Sequence, residues 1–271
     1  MALNAGIQVF LASALALCGT AALAQSESGA RTLTSERWVV DGVERTGLVA
    51  APPATSAASG APLVLVFHGH GGNTRNISRT LAIHASWPEA AVIYLQGLPA
   101  PSGVAGADPE GRLPGWQRAP GALGDRDLKL VDTVVAWAKR EHKIDAKRIF
   151  AAGHSNGALF TYLLWATRPD TFAAFAPAAA AFTAMIASAK PKPALIIAGE
   201  QDALVSFATQ QRNITNILRL NQCDTTGTVW NDKGQLHASR VGADTAVYVY
   251  PGGHALPTDA ATMVTKFFKG R

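Results

Sequence analysis

The chain has 271 residues, 48% hydrophobic and 16% charged, with 24 Lys and Arg against 19 Asp and Glu for a formal net charge of +5. That length holds one domain with a full core, and that composition excludes a disordered chain. The basic excess is small: its densest cluster, Lys139, Arg140, Lys143, Lys147 and Arg148, is interleaved with Glu141 and Asp145. It reads as a solvated helix end and not as a nucleic-acid surface.

Residues 7–24 read IQVFLASALALCGTAALA and close on Ala22-Leu23-Ala24. An apolar run ending in small residues is the pattern of a secretory signal peptide. Residues 1–24 are therefore expected to direct export and be removed, leaving a secreted or periplasmic protein without stable membrane association. Residues 1–6 carry no Lys or Arg, which departs from that pattern. A membrane anchor would use the same run, and a lipoprotein would use Cys18, although Leu17 is bulky where a small residue is wanted. Residues 25–34 are expected to be flexible and residues 35–271 to form a single domain. After cleavage Cys223 has no partner, so no disulfide framework is expected and the thiol reads as a small buried hydrophobe.

Along the chain, residues 38–43 suggest a hairpin and 52–60 a loop. The run LVLVF after Pro62 is a buried strand of the parallel kind. A helix is expected over 73–86 and a strand over 90–95. Residues 97–124, rich in Gly and Pro, form a long loop of the sort that carries function. A helix over 125–142 presents Leu128, Val131, Val135 and Ala138 as its buried stripe. A strand over 148–152 runs into Gly153-His154-Ser155-Asn156-Gly157 and then an apolar helix ended by Pro169. Then come a strand (194–198), a helix (210–220), a hairpin within 229–241, a strand (245–250) and a helix (262–268). Strands alternating with helices predict an α/β domain with a mostly parallel sheet and helices on both faces.

The segment 153–157 fits G-x-S-x-G, with an apolar strand before it and an apolar helix after it. That context makes Ser155 a candidate nucleophile on a sharp strand-to-helix turn, where the flanking glycines allow close backbone approach. A nucleophilic serine needs a base oriented by an acid, in the chain order Ser, Asp/Glu, His. His254 follows the last strand in a Gly-rich turn and is the expected base; His237, in the hairpin, reads as a surface residue. Asp202 follows the strand 194–198 and is the expected acid, with Glu200 its rival. Two backbone N–H groups should hold an oxyanion. One is that of Asn156, and the other that of His70 or Gly71 in the loop His68-Gly69-His70-Gly71-Gly72, a choice the sequence leaves open. A metal reading of His68 and His70 is set aside for lack of a ligand motif. Trp116 is balanced between loop anchor and pocket wall; His154 and Leu256 are further pocket candidates.

On these motifs the chain resembles the polyhydroxybutyrate depolymerase and feruloyl esterase group of α/β-hydrolases, including the short LpqC-like secreted esterases, from about Thr46 onward. The loop 68–72, Ser155, Asp202, the Gly252-Gly253-His254 turn and Gly115-Trp116 match that group's motifs. Leu256 stands where it often has an aromatic residue. The resemblance implies an α/β-hydrolase fold, ester hydrolysis through an acyl-enzyme, and no metal or organic cofactor. It also implies a small or oligomeric ester as partner: hydroxycinnamoyl esters first, hydroxyalkanoate oligomers second. A peptidase of the same fold and a non-enzymatic exported binding protein are the alternatives.

Overall fold

The computed structural model describes residues 1–2, 31–102, 108–186 and 189–271. The expected signal segment, residues 25–30 and part of the long loop (103–107) lie outside the described residues. Arg31, inside the stretch expected to be flexible, is among the described residues, and its guanidinium donates to the Ala90 carbonyl at 2.8 Å and also to that of Ala51.

A hairpin opens the domain, β1 (Thr34–Val40) against β2 (Val43–Ala50), turning through Asp41 and Gly42, both at positive φ. The expected loop over 52–60 contains a short exposed helix, α1 (Ala54–Ser59), entered after Pro52-Pro53 and ended at Gly60 with φ 89°. β3 (Ala61–Phe67) is buried along its whole length, as its unbroken apolar run requires. The helix expected over 73–86 is two: α2 (Thr74–Thr80), capped by the Asn73 side chain, and α3 (Ile83–Ser86). They part at Leu81, whose side chain drops into the core. β4 (Ala91–Leu95) follows, then a two-residue pair, β5 (Leu98–Pro99) with β6 (Pro114–Gly115), which closes the long loop at its base.

α4 (Arg126–His142) leads to β7 (Ile144–His154), Ser155 and α5 (Asn156–Thr167). β8 (Ala174–Ala178) has no counterpart in the sequence reading: Ala-Phe-Ala-Pro-Ala lacks the β-branched residues that mark strands, yet it is buried throughout. α6 (Thr183–Ile186), β9 (Ala194–Gly199), α7 (Phe207–Leu220), the hairpin β10 (Thr228–Trp230) and β11 (Gly234–His237), β12 (Thr245–Tyr250) and α8 (Ala260–Lys269) complete the domain.

The main sheet runs β1-β2-β4-β3-β7-β8-β9-β12-β11-β10. Its six central strands are parallel and both edges are antiparallel. Side chains alternate between two cores. Leu63, Leu65 and Phe67 of β3 meet Leu130, Val134 and Phe160 on one face, while Val64 and Val66 join the cluster of Ile77, Trp87, Val264 and Phe268 on the other. Because the central strands are parallel, their carboxyl ends share one edge, and the loops after β3, β7, β9 and β12 gather there.

Candidate active site

Each of those four loops brings one part of the site. β7 ends at His154, and Ser155 sits at φ 55°, ψ −119° before the first turn of α5. The turn is tight because its neighbours have no side chains: a Cβ on Gly153 would lie 2.3 Å from the Gly157 carbonyl oxygen, and one on Gly157 would lie 2.3 Å from that of Phe67. The Ser155 N–H is held by the Ala178 carbonyl of β8 at 2.9 Å, so the strand missed in the sequence anchors the backbone of the serine turn.

The structure brings Ser155, His254 and Asp202 together. His254 Nε2 lies 2.8 Å from Ser155 Oγ, and its Nδ1 lies 2.9 Å from Asp202 Oδ2. Glu200, the rival acid, is exposed. Asp202 is buried, and its Oδ1 accepts the N–H groups of Leu204 and Val205, both at 2.8 Å. Burial alone would raise its pKa; the Val205 N–H, the His254 ring and the Leu204 N–H together outweigh that and hold the carboxyl below its usual range. Gln210 of α7, which no motif marks, fixes the other oxygen: its Nε2 donates to Asp202 Oδ2 at 3.0 Å and to the Val205 carbonyl at 2.7 Å.

The loop 68–72 packs beside the serine. His68 is a buried strut and takes no part in a metal cluster among the described residues. The Gly97 N–H donates to its Nε2 at 3.0 Å, so the proton sits on Nδ1 and is donated to the Gly69 carbonyl at 2.7 Å. Gly71 N–H donates to the Pro114 carbonyl at 2.7 Å, so of the two expected oxyanion donors it is the one already engaged. The His70 ring is tied through Nε2 to Asp108 Oδ2 at 2.9 Å. Asn156, at the start of α5, has no carbonyl one turn earlier in its helix to receive its N–H. Its side chain is spent on the loop after β6: Oδ1 accepts the Trp116 N–H at 2.7 Å.

Trp116 is fully buried and lines neither cavity at the serine. It stacks on Phe160, and its Nε1 donates to the His68 carbonyl at 2.9 Å, so it is a loop anchor and not a pocket wall. Leu256 also leaves the pocket set, because it packs against the core on the α8 face. His154 does line a cavity beside Ser155. His237 is buried rather than at the surface, donating Nδ1–H to the Asp224 carbonyl at 2.9 Å. Among the described residues Cys223 is the one free thiol; it is half-buried, and burial pushes its pKa up. No helix among the described residues is long and apolar enough to cross a membrane.

Residues 115–192 match the Prolyl oligopeptidase family. The chain is 31% identical over 185 residues to the putative esterase NocK of Nocardia uniformis subsp. tsuyamanensis, which covers 65% of this chain and 50% of that protein. The chain thus spans about half the length of that relative. Among solved structures it resembles the feruloyl esterase module from Clostridium thermocellum in complex with sinapinate, at TM-score 0.63 and 12% identity, covering 88% of this chain and 87% of that one. It also resembles the fluorophosphonate-binding serine hydrolase FphF of Staphylococcus aureus, at TM-score 0.59 and 14% identity, covering 89% and 98%. With the strand order and the serine turn, these likenesses identify the architecture as the α/β-hydrolase fold.

Proposed function

We propose that the protein is a serine carboxylic ester hydrolase. The observation that carries this reading is the unbroken line from Ser155 Oγ through the His254 ring to Asp202, set at the carboxyl edge of the sheet. His254 Nε2 takes the proton from Ser155 as Oγ adds to the ester carbonyl. Asp202 keeps the other ring proton on Nδ1 and stabilises the imidazolium. The N–H groups of Asn156 and His70 hold the developing oxyanion. The tetrahedral centre collapses, the C–O bond to the alcohol breaks, and the alcohol oxygen leaves with the proton from His254. Water then repeats the sequence on the acyl-enzyme, releasing the acid and restoring Ser155.

Small soluble esters suit two cavities of about 370 Å³ each that meet at the serine. Hydroxycinnamoyl esters come first among them, supported by the motif resemblance and by the fold's likeness to a feruloyl esterase module. Hydroxyalkanoate oligomers come second. Export before action follows from the sequence of residues 1–24. The test compares the mature chain with Ser155→Ala on methyl ferulate, 4-nitrophenyl butyrate, a soluble 3-hydroxybutyrate oligomer and a peptide amide, with fluorophosphonate labelling alongside. Ester turnover and labelling that both vanish in the variant are the expected result. Turnover of the amide alone makes the protein a peptidase, and no turnover with no labelling overturns the enzyme reading.

A further inference from the structure

The two cavities at Ser155 are chemically unlike. His254 lines only the first, together with His154, Asn73 and Asn76. The second lacks His254; beyond Ser155 and Asn156 its wall is largely Leu159, residues 179–181, Phe182 and Val205. Acyl transfer tells the two apart. The departing alcohol oxygen must receive its proton from His254, so the alcohol half occupies the cavity that His254 lines. The acyl half then lies in the second.

That second cavity contains one charge. Arg118 is the only Lys, Arg, Asp or Glu among the described residues lining it, and neither cavity is lined by an Asp or Glu. Many of the other arginines are neutralised: Arg37, Arg45, Arg168, Arg240 and Arg271 each have a carboxylate partner. Arg118 has none among the described residues. Two acids whose partners line these cavities are already engaged, Asp108 by the His70 ring and Asp202 by the His254 ring. The Arg118 side chain is exposed, but its backbone follows two pinned residues: Trp116 N–H is bound by the Asn156 side chain, and Gln117 N–H by Asp127 Oδ2 at 2.8 Å. A fixed base, an apolar floor and an unneutralised guanidinium make a site for a chain that is apolar in the middle and anionic at its end.

We propose that Arg118 selects esters whose acyl group carries a carboxylate at the end remote from the scissile carbonyl. The inference rests on the reading of Ser155 as an acylated nucleophile, and for that same site it ranks half-esters of dicarboxylic acids above hydroxycinnamoyl and hydroxyalkanoate esters, whose acyl halves carry no such carboxylate.

The test measures kcat/KM for the 4-nitrophenyl monoester of adipic acid against 4-nitrophenyl hexanoate, in the full mature chain and in Arg118→Ala and Arg118→Lys. The wild type is expected to prefer the adipate ester over its neutral partner, and Arg118→Ala to lose about fivefold of that ratio. Arg118→Lys keeps part of the preference, and raising the salt erodes it in the wild type. A butyrate ester of 4-hydroxybenzoate, with its carboxylate on the leaving alcohol, should be indifferent to Arg118→Ala. Hydrolysis of both chain esters with a ratio unmoved by Arg118→Ala overturns the proposal, as does an equal loss on both. A loss confined to the hydroxybenzoate ester reverses the assignment of the cavities and overturns it as well. Failure to hydrolyse any ester, with no fluorophosphonate labelling, overturns the enzyme reading beneath it.

Discussion

His154 holds His254 by the backbone: its Nε2–H donates to the His254 carbonyl oxygen at 2.6 Å, and the two rings lie 5.0 Å apart. Burial pushes the His154 pKa down, more than its bond to that carbonyl raises it. The ring is thus kept neutral, and it adds no repulsion when His254 becomes an imidazolium. In the proposed mechanism His154, the residue just before Ser155, positions the base.

Replacing His154 with Phe keeps a ring and deletes the donor. The expected outcome is a fall in kcat of about tenfold, corresponding to about 1.4 kcal/mol, with KM changed little. His154→Gln, which restores an N–H donor, should recover part of the loss. Steady-state kinetics on one chromogenic ester decide it; equal kinetics for Phe and Gln would remove the hydrogen bond from the account.

In the proposed mechanism the His70–Asp108 pair does comparable work for the oxyanion. His70 offers its backbone N–H, while its ring is tied to Asp108 at 2.9 Å, and Asp108 in turn accepts the N–H groups of Arg112 and Leu113 at 2.9 and 3.0 Å. The tie fixes the loop 68–72 against the segment before β6. Asp108→Ala should lower kcat by about tenfold, less than the 10²–10³ lost when an oxyanion donor is removed outright. Affinity for a trifluoromethyl ketone, which mimics the tetrahedral centre, should fall in parallel, and KM should not. A change confined to KM would place Asp108 in ground-state binding instead.

The serine turn was legible in the sequence because its geometry demands glycines at fixed spacing, and the mostly parallel sheet between helices was legible from buried apolar runs alternating with helices; the strand order was not. His254 and Asp202, which the structure brings to Ser155, could be picked out because each lies in the turn that follows such a run. Residues that act through one hydrogen bond from a helix face or loop were not. Gln210 looks like any polar residue of α7, and Asp108 like any loop acid. β8 escaped because its five residues are buried by their neighbours and not by their own β-propensity. Trp116 was undecided because an aromatic in a loop fits a pocket or an anchor equally well, and only the buried bond from its Nε1 to the His68 carbonyl separates them.

Stability should fall on mild acidification. Burial holds the pKa of both His68 and His154 below the ordinary imidazole value of 6.5. Between the lowered folded values and 6.5 the unfolded chain binds more protons than the folded one, so stability is full above 6.5 and drops as the pH falls through that window. At His68, protonation of Nε2 also breaks the bond from Gly97 N–H. Thermal melts from pH 8 down to pH 5 should show a falling Tm beginning near 6.5, less steep in His154→Gln. A flat Tm across that range contradicts the assignment of neutral buried rings.

Ser155, the proposed nucleophile, holds a backbone shape that side chains resist, φ 55° and ψ −119°. Holding a non-glycine residue in such a region costs about 1–3 kcal/mol. Glycine adopts it without strain, although its extra freedom when unfolded returns about 0.5–1 kcal/mol of that gain. Ser155→Gly should therefore be inactive and melt at or above the wild type, whereas Ser155→Ala, inactive too, keeps the Cβ and the strain and should melt below Ser155→Gly. Calorimetry on the three chains at one pH checks this. A lower Tm for Ser155→Gly than for Ser155→Ala would mean that the turn is relaxed and that the hydrogen bond from Ser155 N–H to Ala178, not the flanking glycines, sets its shape.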